Sequence, residues 1–133
     1  MCSIRTAESV CAGHPDKLAD QIADQILDDI LYDDKAARVA VEVMAAGRRI
    51  IVTGEITTNH RPRIRESVRT ALARAGYSPL GILIYVWTRR QSSDINAGVT
   101  ISLEARGGDS SAFALQGAGD QGTVYGYATA ETP

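Results

Sequence analysis

The sequence predicts an α+β fold, a mixed or antiparallel sheet with helices packed on one face. Three observations carry that prediction: an apolar stripe of helical period near the N-terminus, two apolar strand-like runs joined at a glycine, and a second amphipathic segment leading into a further apolar run.

The first helix is expected from His14 to Asp34. Leu18, Ile22, Ile26 and Ile30 recur at four-residue steps, with Leu27 and Leu31 beside them, so they share one face. Pro15 suits the first helical position, where its missing N–H costs nothing, and Asp16 sets negative charge in the positive first turn. From Arg38 to Met44, Val39, Val41 and Val43 alternate with Ala40, Glu42 and Met44. After Gly47, Ile50 to Thr57 continues in the same manner, which predicts a hairpin with both faces fairly apolar. A second helix is expected from Arg63 to Gly76, with Ile64, Val68 and Leu72 inward and Gly76 as its stop. Gly81 to Trp87 predicts a third strand. From Arg89 to Gly122 the pattern dissolves, apart from the alternating Val99, Ile101 and Leu103, and a loop that long is usually a functional lid or disorder. Thr123 to Ala128 predicts one more strand, and a stop so soon after it suggests truncation.

The 133 residues suffice for one domain, and 44% hydrophobic with 23% charged residues is ordinary globular usage. A formal net charge of -2 gives no pull toward nucleic acid, and no apolar run is long enough to span a membrane. The N-terminus lacks the apolar region of a secretory signal. Two cysteines, Cys2 and Cys11, support neither a disulfide framework nor a four-ligand zinc site, and a cytoplasmic protein with reduced thiols is expected. Charge is uneven: seven aspartates between Asp16 and Asp34 face Lys17 alone, and five arginines between Arg61 and Arg74 face Glu66 alone. Solvated helix faces are the commoner cause of such asymmetry, and the Arg61, Arg65, Arg69 stripe lacks the interleaved aromatics of a nucleic-acid surface.

Gly13-His14-Pro15-Asp16-Lys17 places an imidazole, a carboxylate and an ammonium at a helix start, where backbone N–H groups favour an anion. Asp16 suits magnesium, which takes one or two carboxylates plus phosphate oxygens, and His14 suits a donor or general acid beside a phosphate. The same residues are also what an ordinary helix start uses. Glu42 and Glu55 sit mid-strand among apolar neighbours, where an ionised carboxylate is costly unless paired. A two-residue turn near Gly47 puts both on one sheet face. Either a cation or ammonium group is their partner, or that face is wet. Gly117 to Gly122 matches G-x-G-x-x-G, but a strand-like segment follows it where a dinucleotide site requires a helix. It reads instead as a tight turn presenting Asp120.

Together these segments resemble the N-terminal part of an S-adenosylmethionine synthetase (methionine adenosyltransferase). The matching pieces are Glu8-Ser9-Val10, Gly13 to Ile22, Gly54-Glu55-Ile56-Thr57, Gln91-Ser92-Ser93-Asp94-Ile95, Gly117 to Gly122 and Tyr125 to Thr129, in family order. The resemblance implies one unit of a three-domain fold and attack of the methionine sulfur on C5′ of ATP, with triphosphate expelled and then hydrolysed to phosphate and pyrophosphate. It implies that His14 lies by the triphosphate and the breaking bond as the catalytic residue, with Lys17 and Asp120 also on ATP. Asp16 matches a magnesium ligand and Glu42 a potassium ligand, while Glu55, Gln91 and Asp120 match methionine contacts. Residues 1–90 then form the N-terminal domain, 91–116 a mobile gating loop, and 117–133 the start of a following, truncated segment. A homo-oligomer or a complementary C-terminal chain is implied, because the family builds each site between two subunits and the downstream triphosphate-gripping residues lie outside this sequence. A non-catalytic module that binds the nucleotide or methionine, or that regulates a full-length paralogue, is the alternative, and a structural protein that kept the fold is the third. The sequence departs from the family pattern at Cys11-Ala12, Ala45-Ala46 and Ser93, and has little family character from Ala97 to Gln116.

Overall fold

The computed structural model describes Thr6, residues 8–91, and the positions 105, 107–108, 110–111 and 130. The chain divides into one compact unit, Val10–Gln91, and a second drawn from Met1–Ser9 and Ser92–Pro133. The first unit contains all five described elements: α1 (Pro15–Asp33), β1 (Arg38–Ala46), β2 (Arg49–Thr57), α2 (Ile64–Arg74) and β3 (Leu83–Arg89). The fold is α+β, with helices on one side of a mixed sheet. The 91–116 loop, the Gly117–Gly122 turn and the strand expected at Thr123–Ala128 lie outside the described residues, isolated positions aside.

The sheet has the order β1-β2-β3, with β1 and β2 antiparallel and β2 and β3 parallel. Ala46 pairs with Arg49, so Gly47 and Arg48 form a two-residue turn. Gly47 has φ 58° and no other residue of the turn has positive φ, the pattern of a type II′ hairpin whose twist matches the strands. Parallel pairing of β2 with β3 requires a crossover, which α2 supplies. The hairpin turn also fixes where β3 begins. The amide of Leu83 donates to the Arg48 carbonyl at 2.9 Å, and the Arg48 guanidinium donates to the carbonyls of Gly81 and Leu80, both at 3.1 Å. β3 therefore runs later than the sequence suggests, beginning at Leu83 and continuing past Trp87 to Arg89.

The core is the stripe read from the sequence. Leu18, Ile22, Ile26 and Ile30 of α1 meet Ile50, Val52 and Ile56 of β2 and Ile64, Val68, Ala71 and Leu72 of α2. Ile22, Ile26 and Val68 are completely buried, and burial of each such side chain contributes about 1.5–3 kcal/mol. Leu27 and Leu31 remain half-buried at the edge of the stripe. Gln25 is the polar exception at the helix–helix seam. Its Oε1 accepts from Arg74 at 2.6 Å and its Nε2 donates to Asp29 at 2.8 Å, so neither end is left bare.

Each helix ends for a local reason. At α2, Gly76 N–H donates to Ala73 and Tyr77 N–H to Leu72, the paired bonds of a Schellman stop. At α1, Asp34 caps the C-terminus and its carboxylate then reaches β2's exit, accepting from Asn59 N–H at 2.8 Å and the Thr58 hydroxyl at 2.9 Å. The Asn59 N–H and, next, the Thr58 hydroxyl hold this carboxyl below the usual carboxylate range.

Candidate functional site

The α1 N-terminus assembles the first group of candidate residues. His14 is the N-cap, with extended backbone, and its Nδ1 accepts from the Asp16 N–H at 3.3 Å. That bond satisfies one of the helix's orphan donors and assigns the ring proton to Nε2, leaving Nε2–H as a donor. The same Nδ1 lies 3.9 Å from the Asp16 carboxylate. Asp16 itself is 90% exposed in its side chain, so its carboxylate is open to a ligand. Lys17 folds back and donates from Nζ to the Val10 carbonyl, which uses one of its three protons. A residue remote in sequence braces this turn: the Tyr77 hydroxyl, from the loop after α2, donates to the Gly13 carbonyl at 2.7 Å.

The second group lies on the sheet face away from the helices. Side chains alternate along a strand, and the register pairs Glu42 with Thr53 and Ala40 with Glu55, so Glu42 and Glu55 are diagonal neighbours on that face. The hairpin geometry expected from Gly47 therefore holds. The face is open: Glu42 is exposed, and so are Met44, Leu83, Tyr85 and Trp87. Glu55 differs. Its side chain is only 14% exposed, and its Oε1 accepts from Arg89 Nε at 3.0 Å, across the parallel register that pairs the two residues. Both readings of the two glutamates thus have a share, since Glu42 stands in the wet and Glu55 has found a cation within the chain. Gly54 precedes Glu55 in β2. At φ 126° it lets β1 approach so closely that a Cβ would lie 2.1 Å from the Ala40 carbonyl oxygen. A concavity of about 410 Å³ surrounds the ion pair, lined by Thr53, Gly54, Glu55, Trp87, Thr88 and Arg89.

Gln91 follows two residues beyond Arg89, and its Oε1 is buried with no hydrogen-bond partner among the described residues. A buried, unpaired carbonyl is costly, and a donor from a ligand would satisfy it. Asp120 lies outside the described residues. The Glu42–Glu55 pair thus belongs to the sheet and Gln91 follows the end of β3, whereas His14, Asp16 and Lys17 belong to the helix layer packed on the sheet's other side. No group of three or more His, Cys, Asp or Glu side chains that could hold a metal ion occurs among the described residues. Asp16 alone fits a magnesium ion that takes most of its ligands from phosphate and water, the usual habit of that cation. Glu42, one exposed carboxylate, does not by itself make a cage for potassium.

Sequence reasoning missed Arg89 and Tyr77. Both act through contacts more than 30 residues away in sequence, at separations of 34 and 64, which no local pattern reveals. The arginine stripe reads as the solvated face it most simply suggests. Arg61, Arg65 and Arg69 are exposed, and Arg63 pairs with Glu66 at 3.6 Å one turn on.

Comparison with known proteins gives a consistent picture. Residues 3–95 match the family described as S-adenosylmethionine synthetase, N-terminal domain. S-adenosylmethionine synthase 1 of Frankia casuarinae is 44% identical over 138 aligned positions, covering 96% of this chain and 34% of the relative. The S-adenosylmethionine synthase of Finegoldia magna is 47% identical over 134 positions, with the same coverage. The chain therefore spans about a third of the length of these curated relatives, 34% in each case. An S-adenosylmethionine synthetase structure from Campylobacter jejuni, described as unusual, superposes with a TM-score of 0.60 at 33% identity, covering 69% of this chain and 26% of that one.

Proposed function

The chain belongs to the S-adenosylmethionine synthetase family, a family of transferases, as its N-terminal domain, and from that premise we propose that it supplies part of the active site of a methionine adenosyltransferase. In that reaction the methionine sulfur attacks C5′ of ATP, the C5′–O bond breaks with its electron pair passing to the triphosphate, and the triphosphate is then hydrolysed to phosphate and pyrophosphate. The observation that carries the reading is the His14 N-cap. It brings an imidazole, an exposed carboxylate and an ammonium within one helical turn.

In this reading His14 donates from Nε2 to a phosphate oxygen as negative charge builds on the leaving group, and the helix N-terminus and Lys17 add to that stabilisation. Lys17 keeps two Nζ protons for phosphate while bonded to Val10. Asp16 would hold magnesium, and Glu42 would give one ligand to a potassium ion completed from outside this chain; bound there, the cations would supply positive charge against the triphosphate. Glu55 receives the methionine ammonium, the Gln91 carbonyl accepts a further N–H, and Asp120 serves methionine and ATP. The separation of the two groups into different layers supports a site completed by a second copy of the chain or by a C-terminal portion. No helix among the described residues is long and apolar enough to cross a membrane, and the exposed Cys11 thiol is free, which suits a reducing, cytoplasmic setting.

The test is mass-spectrometric detection of S-adenosylmethionine from ATP, methionine, magnesium and potassium, with the chain alone and mixed with a C-terminal portion from a relative. Product is expected in the mixture, and His14→Asn should lower it by about 100-fold or more, the usual worth of a positioned proton donor. Unchanged turnover with His14→Asn would remove the catalytic assignment. Binding of ATP and methionine without product in any mixture would instead establish a non-catalytic binding module.

A further inference from the structure

The Glu55–Arg89 pair is unusual in being half used on both sides. Among the described residues, Arg89 engages only Nε and Glu55 only Oε1. The guanidinium therefore keeps its Nη edge, the edge that grips a carboxylate with two parallel bonds, and the glutamate keeps Oε2 as an acceptor. The two partners also differ in setting: Glu55 is seated in the sheet at 14% side-chain exposure, whereas Arg89 is 82% exposed and free to adjust. Such a pair is weakly held and readily completed by a third party. Beside it stands Trp87, 70% exposed, in register with Thr53 and lining the same concavity.

We propose that Arg89 is a specificity-determining residue of this site: Glu55 and Arg89 together read the zwitterion of an α-amino acid, the glutamate taking the ammonium through Oε2 and the arginine taking the carboxylate through its Nη edge. An acid and a base held side by side present the complement of the two charges that an α-amino acid carries on one carbon. A molecule with only one of those charges leaves the other partner unmatched, and that mismatch is the source of the selection. The Trp87 ring offers an apolar, polarisable wall to the side chain, a surface on which a thioether sits well. The inference rests on the reading that Glu55 receives an amino acid's ammonium. It adds a carboxylate receptor on β3 within the same chain.

The test is calorimetric titration of the full chain with methionine and with 3-(methylthio)propylamine, which lacks only the carboxylate. Wild-type protein should prefer methionine by about 10-fold or more, the usual worth of a charge-assisted bond pair. Arg89→Ala should abolish that preference by weakening methionine alone, and Arg89→Lys should restore part of it as a point charge without the fork. Because Arg89 is exposed, near-ultraviolet dichroism from Trp87 serves as the check that the sheet is intact in each variant. If Glu55→Gln abolishes methionine binding while Arg89→Ala keeps the preference, the zwitterion inference is overturned and the ammonium reading of Glu55 stands. If wild-type protein binds neither compound, both are overturned.

Discussion

Replacing Gly54 with alanine tests whether the sheet's tight approach at this point is required for stability. Gly54 has φ 126°, a conformation that L residues rarely adopt, at a strain cost of about 1–3 kcal/mol. The new Cβ would lie 2.1 Å from the Ala40 carbonyl oxygen and 2.9 Å from Val41 Cα. Both atoms are backbone, so neither can rotate away, and β1 must retreat from β2 at the Val41↔Gly54 pair. Overpacking of that kind adds about 1–3 kcal/mol. The sum, about 2–6 kcal/mol, is a large share of the roughly 5–15 kcal/mol that holds an ordinary domain. Urea unfolding followed by far-ultraviolet dichroism is the assay. With a slope of about 2 kcal/mol per molar, a loss near 4 kcal/mol moves the midpoint down by about 2 M. Gly47→Ala is the matched control. It has φ 58° in the hairpin turn but no atom within 4 Å of the added Cβ, so it should cost only the backbone strain, about 1–2 kcal/mol. A Gly54→Ala midpoint no lower than that of Gly47→Ala would refute the close-approach argument.

Two further outcomes follow from contacts that tie the helices to the loops. Asp34 is held below its ordinary pKa of 3.8, chiefly by the Asn59 N–H and then the Thr58 hydroxyl, so its contribution to stability is present above pH 3.8 and fades as the pH falls through the lowered folded value. Wild type should therefore exceed Asp34→Asn in urea midpoint at pH 7, with the gap narrowing below pH 3.8; a gap that is the same at both ends would contradict the assignment. Tyr77→Phe removes the 2.7 Å bond to the Gly13 carbonyl and should cost about 0.5–1.5 kcal/mol. It should also speed hydrogen exchange at the His14 amide, which donates to Cys11 at 3.0 Å in the turn that Tyr77 braces. An unchanged exchange rate there would show that the brace is idle.

Local pattern was enough for the elements that bury a face. The four-residue steps of Leu18, Ile22, Ile26 and Ile30 can be satisfied only by a helix with one side inward, and all four are buried. The alternation on either side of Gly47 was enough to place Glu42 and Glu55 on one face, because a two-residue turn leaves no freedom in the parity of the register. The start of α1 was equally readable from Pro15 and Asp16, and His14 caps it.

What the sequence by itself determined, then, is which residues face inward and which acidic groups share a surface, since both depend on periods of two or 3.6 residues along one segment. What only the tertiary structure decided is who meets those groups. Arg89 reached Glu55 because β3 lies parallel to β2, which depends on the α2 crossover and on Arg48 holding the Leu80 and Gly81 carbonyls at the strand's entry. Tyr77 reached Gly13 because α2 ends beside the start of α1. Such contacts are set by the packing of whole elements over one core. Their energy is long-range in sequence, and no window of neighbouring residues contains it.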